Sequence, residues 1–205
     1  MSDRQRIFTS IYATNVWDSE ESRSGDGSTL AATAATRLGL MKILREYEVT
    51  RFLDAPCGDW NWMREVDLGG VEYIGVDIVP DIVEANRGRY ETSNVTFRHA
   101  DIARDPLPES DLILCRDALQ HMAPETVLAT LANFKKSARY VLLTSYHQQT
   151  QNVAAAEGYY FPYNLRLAPF NLPVPLDMID EGGLDSNEDD KALFLWATSD
   201  LSDLL

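Results

Sequence analysis

Only two cysteines, Cys57 and Cys115, occur in the 205 residues. Both fall in apolar segments expected to be buried, which suits reduced thiols in a cytoplasm rather than a disulfide scaffold. No run approaches the ~18 consecutive apolar residues of a membrane-spanning helix. The first six residues are polar and lack the apolar core of an export signal, so a cytoplasmic protein is expected. Basic residues are scarce, 18 Lys and Arg against 32 Asp and Glu, for a net charge of −14. Nucleic acids are bound largely through clustered Lys and Arg; with no cluster here, no nucleic-acid partner is expected. Cys pairs, His-x-x-x-His and acid-flanked His at helical spacing are all missing, so no metal site is expected. A Gly-x-Ser-x-Gly nucleophile elbow is missing too, and no internal repeat or low-complexity linker interrupts the chain.

What is present is the composition of an ordinary globular protein, 45% hydrophobic and 24% charged, at a length that fits one domain. Residues 5–17 carry Ile7, Phe8, Ile11, Tyr12 and Val16 at near-helical spacing. A polar loop follows over 18–28, and Ser28 is placed to cap a helix over about 29–47. Strands are expected at about 50–55, 72–77, 94–99, 111–115 and 139–144. Helices are expected between them at about 60–66, 80–89 (Pro80 in its first turn) and 123–137. Strands alternating with helices imply an α/β fold with a parallel sheet and right-handed crossovers. Residues 146–172 break the alternation with a loop rich in Gln, Asn, Tyr and Pro. Residues 174–181 and 192–198, around an acidic Gly-Gly loop, read as an antiparallel hairpin.

The most informative stretch is Arg51-Phe52-Leu53-Asp54-Ala55-Pro56-Cys57-Gly58-Asp59-Trp60, a buried strand running into a Gly turn. A second strand then ends on an acid, Tyr73-Ile74-Gly75-Val76-Asp77. Strand, Gly turn, helix and a strand with a terminal carboxylate is how an α/β sheet holds an adenosine-containing cofactor. A dinucleotide site requires G-x-G-x-x-G, and here Gly58 is followed by Asp59 and Trp60.

A single Gly after an acid-small-x-Cys run resembles the first motif of the class I SAM-dependent methyltransferases, over about residues 28–145. Pro56 and Asp59 depart from the commoner form of that motif. The resemblance implies a Rossmann-like three-layer sandwich: a mostly parallel seven-stranded sheet with a C-terminal antiparallel hairpin, and S-adenosyl-L-methionine as cofactor. It implies that the turn runs under the methionine part, with Asp54 orienting the turn or reaching the amine, and the backbone of Ala55 and Gly58 passing closest. Asp77 would accept the ribose hydroxyls, Ile78 would pack on adenine, and Asp101, followed by Ile102, would meet the adenine amine. Trp17, Trp60, Cys115 and Arg116 complete the expected cofactor-binding set, although a structural ion pair is the stronger reading of Arg116. Three segments follow within one methyltransferase domain: an N-terminal lid over 1–28, a SAM-binding core over 29–145, and a substrate loop with the terminal hairpin over 146–205.

In an α/β sheet the ligand lies at the carboxyl ends of the strands. Strand four ends in Cys115-Arg116-Asp117-Ala118-Leu119-Gln120-His121-Met122, which resembles phosphoethanolamine methyltransferases and related small-molecule enzymes. There a His helps an N-terminal Tyr manage the acceptor's proton. That resemblance makes His121 the first candidate for general base or orienter, Asp117 its holder or a substrate contact, and Tyr12 its partner. His147 is a second candidate. The plainer readings stay open beside these: a packing His121, a surface His147, and a Tyr12 that only seats its helix. Aromatic residues of the late loop, Tyr159, Tyr160, Phe161, Tyr163 and Phe170, with Asn164 and Asn171, suit a small polar ligand or only a covered sheet edge. The segment around Asn164–Pro173 resembles the closing segment of uncharacterised bacterial methyltransferases. Asn-Pro-Pro-Tyr, which some nucleic-acid and protein-amide methyltransferases carry after strand four, is replaced by Cys-Arg-Asp-Ala. The expected reaction is methyl transfer to a hydroxyl or amine of a small molecule, a sugar, natural product or amine metabolite. The rivals are a protein side-chain methyltransferase and a silent SAM-binding scaffold.

Overall fold

A computed structural model describes residues 1–153, 155–182 and 190–201. Helix α1 spans Asp3–Thr14 and α2 Ala34–Glu46. Strand β1 (Arg51–Asp54) is followed by β2 (Glu72–Asp77), helix α3 (Pro80–Tyr90), β3 (Val95–His99) and β4 (Ser110–Cys115). Helix α4 (Pro124–Ser137), β5 (Ala138–Tyr146), β6 (Asp177–Asp180) and β7 (Lys191–Ala197) complete the order. The sheet has seven strands in the order β3-β2-β1-β4-β5-β7-β6. The first five are parallel, and β7 and β6 run antiparallel, which is the expected hairpin. The acidic loop expected within that hairpin lies, from residue 183 to 189, outside the described residues. Among the described residues no helix is long and apolar enough to cross a membrane.

Near-continuous apolar strands are what a sheet covered on both faces requires. Alternate residues sort into two cores. Leu53, Ile113, Cys115, Val141, Leu143 and Trp196 pack under Val127, Leu131 and Phe134 of α4. Phe52, Leu112, Leu114, Leu142 and Leu195 pack under Leu40, Ile43 and Leu44 of α2. The result is three layers with the C-termini of the five parallel strands on one rim.

Three local expectations are corrected. The helix expected over 60–66 shrinks to a single 3-10 turn, Met63–Glu65, because Trp60 takes a left-handed φ of 60° that no α-helix continues through. Its ring is instead buried against Tyr73, Tyr90 and Phe97. Helix α2 starts at Ala34 rather than 29, and Ser28 does not cap it. Ser28 ends a 3-10 turn, and residues 29–33 are held by Thr33 Oγ1 donating to the Thr29 carbonyl at 2.8 Å. Helix α1 stops at Thr14, where Asn15 turns left-handed, so Val16 is 61% exposed.

Candidate functional site

A pocket at the carboxyl rim is lined by the ends of β1 and β2 and by the residues that follow β3 and β4, and is roofed by the N-terminal segment. Asp54, the last residue of β1, is 2% exposed and accepts the Tyr73 hydroxyl at 2.7 Å. Burial pushes its carboxyl up to about 7. Asp77, the last residue of β2, accepts the Gly58 N–H at 3.1 Å on one oxygen and the Val79 N–H at 2.9 Å on the other. Burial pushes it up to about 6. Those two bonds leave further lone pairs on a two-oxygen acceptor, which can take four or so donors.

The turn between them is crowded. Gly58 has φ +54°, and a Cβ there would lie 2.4 Å from Ser24 Oγ. Asn86 of α3 donates to the Gly58 carbonyl at 2.8 Å. Asp59 anchors the roof: it accepts Ser22 Oγ at 3.0 Å and the Arg23 N–H at 2.9 Å, while its own N–H donates to Ser24 Oγ at 3.1 Å. The glycine-poor form of this turn is thus a docking point for the loop over it.

Past β3, Asp101 is 8% exposed and pairs with Arg4 of α1, Nη1 to Oδ1 at 2.5 Å. Ile78 and Ile102 line the same end of the pocket. Past β4, Arg116 and Asp117 line the other end. Arg116 is a structural ion pair, its Nε 2.6 Å from Glu181, which also accepts the Thr36 hydroxyl at 2.7 Å. Burial would lift the Asp117 carboxyl, but Arg116 at 2.9 Å and Lys191 at 3.2 Å bring it below the usual range. Gln120 donates to its other oxygen at 3.1 Å. Among the described residues Asp117 makes no hydrogen bond to His121, so the expected holder role is not seen.

His121 closes a 3-10 turn, Leu119–His121, and lines the pocket. Its ring centroid is 5.5 Å from that of Trp17 and 5.7 Å from that of Tyr160. Burial lowers its pKa, which favours the neutral imidazole, a proton acceptor. Tyr12 also lines the pocket, and its phenol is raised by burial.

Of the expected residues, Tyr12, Trp17, Asp54, Gly58, Asp77, Ile78, Asp101, Ile102, Arg116, Asp117 and His121 all line this pocket. Four expected residues do not. Trp60 is turned into the core, and Trp62 lines the pocket in its place, its ring 5.5 Å from the Arg116 guanidinium. Cys115 is fully buried, because strand alternation points it at α4 beside Ile113. Ala55 is fully buried, its N–H bound to the Leu114 carbonyl at 2.8 Å; Pro56 and Cys57 reach the pocket instead. His147 follows the end of β5 and is exposed, with its ring 6.0 Å from Phe194. The aromatic loop also divides: Tyr163 and Phe170 are core, whereas Tyr159 and Tyr160 are 71% and 47% exposed. Sequence reasoning missed Arg4, Phe8, Ser24 and Trp62. Helical spacing flagged Phe8 only as packing, and nothing near Arg4 in sequence signals a partner at 101.

Residues 52–139 match a family model described as a methyltransferase domain. No curated protein sequence matches the chain at a significant level. Solved structures do. The N-methyltransferase NodS from Bradyrhizobium japonicum WM9, in complex with S-adenosyl-L-homocysteine, aligns at TM-score 0.66 and 15% identity, over 91% of this chain and 97% of that one. A Burkholderia thailandensis 1,6-didemethyltoxoflavin-N1-methyltransferase with bound 1,6-didemethyltoxoflavin and S-adenosylhomocysteine aligns at 0.60 and 16% identity, over 93% and 85%. Human N-acetylserotonin methyltransferase in complex with SAM aligns at 0.56 and 15% identity, over 93% and 58%. At such identities the likeness establishes the fold. Residues 52–139 are thus similar to a methyltransferase domain, and the chain shares the Rossmann-like fold of these solved methyltransferase structures.

Proposed function

We propose that this protein transfers the methyl group of SAM to a hydroxyl or amine of a small molecule. The observation that carries the reading is the convergence of Asp54, Asp77, Asp101 and the Gly58 turn in one pocket with His121 across from them. The donor set fits the cofactor: strand-end carboxylates with lone pairs to spare, beside a tight glycine turn. Gly58 would pass under the methionine part, Asp77 would take the ribose hydroxyls, and Asp101 with Ile78 and Ile102 would hold adenine. When bound, SAM supplies an electrophilic methyl on its sulfonium.

The chain's own residues then align and deprotonate the acceptor, the two tasks an in-line displacement requires. His121, kept neutral by burial, takes the acceptor's proton on a ring nitrogen. Trp17 and Tyr160 flank it as apolar walls. Asp117 holds Lys191 and Arg116 rather than His121, so its role is to keep this end of the pocket charge-balanced. Residues 1–28 serve as a lid fastened at Asp59. A small-molecule acceptor is also in keeping with the 1,6-didemethyltoxoflavin bound in the Burkholderia thailandensis enzyme. The net charge of −14 favours cations such as the sulfonium. The test is turnover: labelled SAM with panels of sugars, phenols and amines. Methyl transfer to one of them, lost in His121→Ala, supports the reading; transfer only to protein side chains overturns the acceptor class.

A further inference from the structure

We propose that Arg4 is a positioning residue that couples the cofactor end of the pocket to the acceptor loop. This inference rests on the reading of Asp101 as the adenine-end carboxylate. The Arg4 side chain is only 10% exposed, although it projects from a helix with no buried residue of its own. Its guanidinium touches three separate segments. Nη1 pairs with Asp101 Oδ1 at 2.5 Å, Nη2 donates to Thr126 Oγ1 at 3.3 Å in the first turn of α4, and Nε pairs with Glu157 Oε1 at 3.4 Å in the late loop. Thr126 Oγ1 itself donates to Glu157.

From Glu157 the connection to the candidate base is short. The next residue, Gly158, donates its N–H to the His121 carbonyl at 2.8 Å, and the Phe161 N–H donates to the Gln120 carbonyl at 2.7 Å. Helix α1 presses on the same spot, since a Cβ at Gly158 would lie 2.7 Å from Ile7 Cγ2. Asp101, Arg4, Glu157, Gly158 and His121 thus form one unbroken chain of contacts from the adenine end to the acceptor end. Only a planar fork with donors on three nitrogens reaches both carboxylates at once; a lysine ammonium is a point charge and can serve one of them well. Ligand that settles on Asp101 fixes Arg4, and Arg4 fixes the loop that carries the His121 turn. Cofactor binding therefore prepares the acceptor site.

The test is amide hydrogen exchange with and without S-adenosylhomocysteine, on wild type, Arg4→Ala, Arg4→Lys and Glu157→Gln. At a ligand concentration ~100 times the Kd, amides whose opening requires ligand release slow by ~100-fold. In wild type the Gly58 turn and the Gly158 and Phe161 amides are expected to slow together. In the variants the Gly58 turn should still slow, while Gly158 and Phe161 should change by less than about threefold. Equal slowing at Gly158 and Phe161 in variants that bind the ligand overturns the coupling and leaves the cofactor reading intact. Absence of slowing anywhere in folded wild type overturns both. Should Arg4→Ala fail to fold, Arg4→Lys and Glu157→Gln decide the matter, because each keeps a polar group at its site.

Discussion

The backbone N–H of Gly58 donates to Asp77 Oδ2 at 3.1 Å, so the turn after β1 and the acid that ends β2 form a single unit. The second Asp77 oxygen is held by Val79 at 2.9 Å, which fixes the carboxylate plane before any ligand arrives.

The turn has no room for a side chain. Gly58→Ala puts a Cβ 2.4 Å from Ser24 Oγ on a backbone with φ +54°. The left-handed conformation alone costs about 1–2 kcal/mol for a residue with a Cβ. The expected outcome is a lower urea midpoint with an unchanged slope, together with weakened S-adenosylhomocysteine binding as Ser24 is displaced. Wild-type stability and affinity in this variant would show that the turn is not part of the cofactor site.

Asp54 carries a pH signature. Its carboxyl rises from 3.8 to about 7 on folding because burial disfavours the charge. The folded state then binds more protons than the unfolded state between those values. Wild-type stability from this group falls as pH rises across that window, by up to about 1.4 kcal/mol per unit. Asp54→Asn keeps an acceptor for Tyr73 but cannot ionise. The variant should gain on wild type steadily from about pH 4 to about pH 7 in chemical unfolding. A difference that is flat across this range would mean that Asp54 titrates normally.

For His121 the direction is the opposite. Burial lowers its pKa, so the neutral base persists at neutral pH and is lost only below the ordinary range. His121→Ala should reduce turnover by roughly 10²–10⁴-fold while leaving S-adenosylhomocysteine affinity nearly unchanged. Wild-type activity should fall below its ordinary value of 6.5, and the variant's residual activity should lose that dependence. Full activity in the variant would leave His121 as a packing residue against Trp17.

Much of this was legible in the chain because parallel strands buried on both faces must be apolar runs, and Asp54 and Asp77 each terminate one. Asp54 and Asp77 end β1 and β2 and Asp101 follows β3, so their order in the sequence is their order along that part of the rim. Trp60 was misread because a left-handed residue in a turn leaves no periodic mark, and its burial depends on Tyr73, Tyr90 and Phe97. His147 was a second candidate after His121, since each follows a strand. The difference is topological: β5 pairs with antiparallel β7, and its end lies beside Lys191 rather than over the Gly58 turn. Arg4 is tied to Asp101 across 97 positions, a distance over which composition and spacing carry no information.

The most direct measurement is calorimetric titration of S-adenosylhomocysteine into wild type and Asp77→Ala. Micromolar binding to wild type is expected, weakened in the folded variant by about 1.5–3 kcal/mol as charge-assisted hydrogen bonds are lost. Equal affinity in the two proteins, or none in wild type, would contradict the placement of the cofactor over β1 and β2.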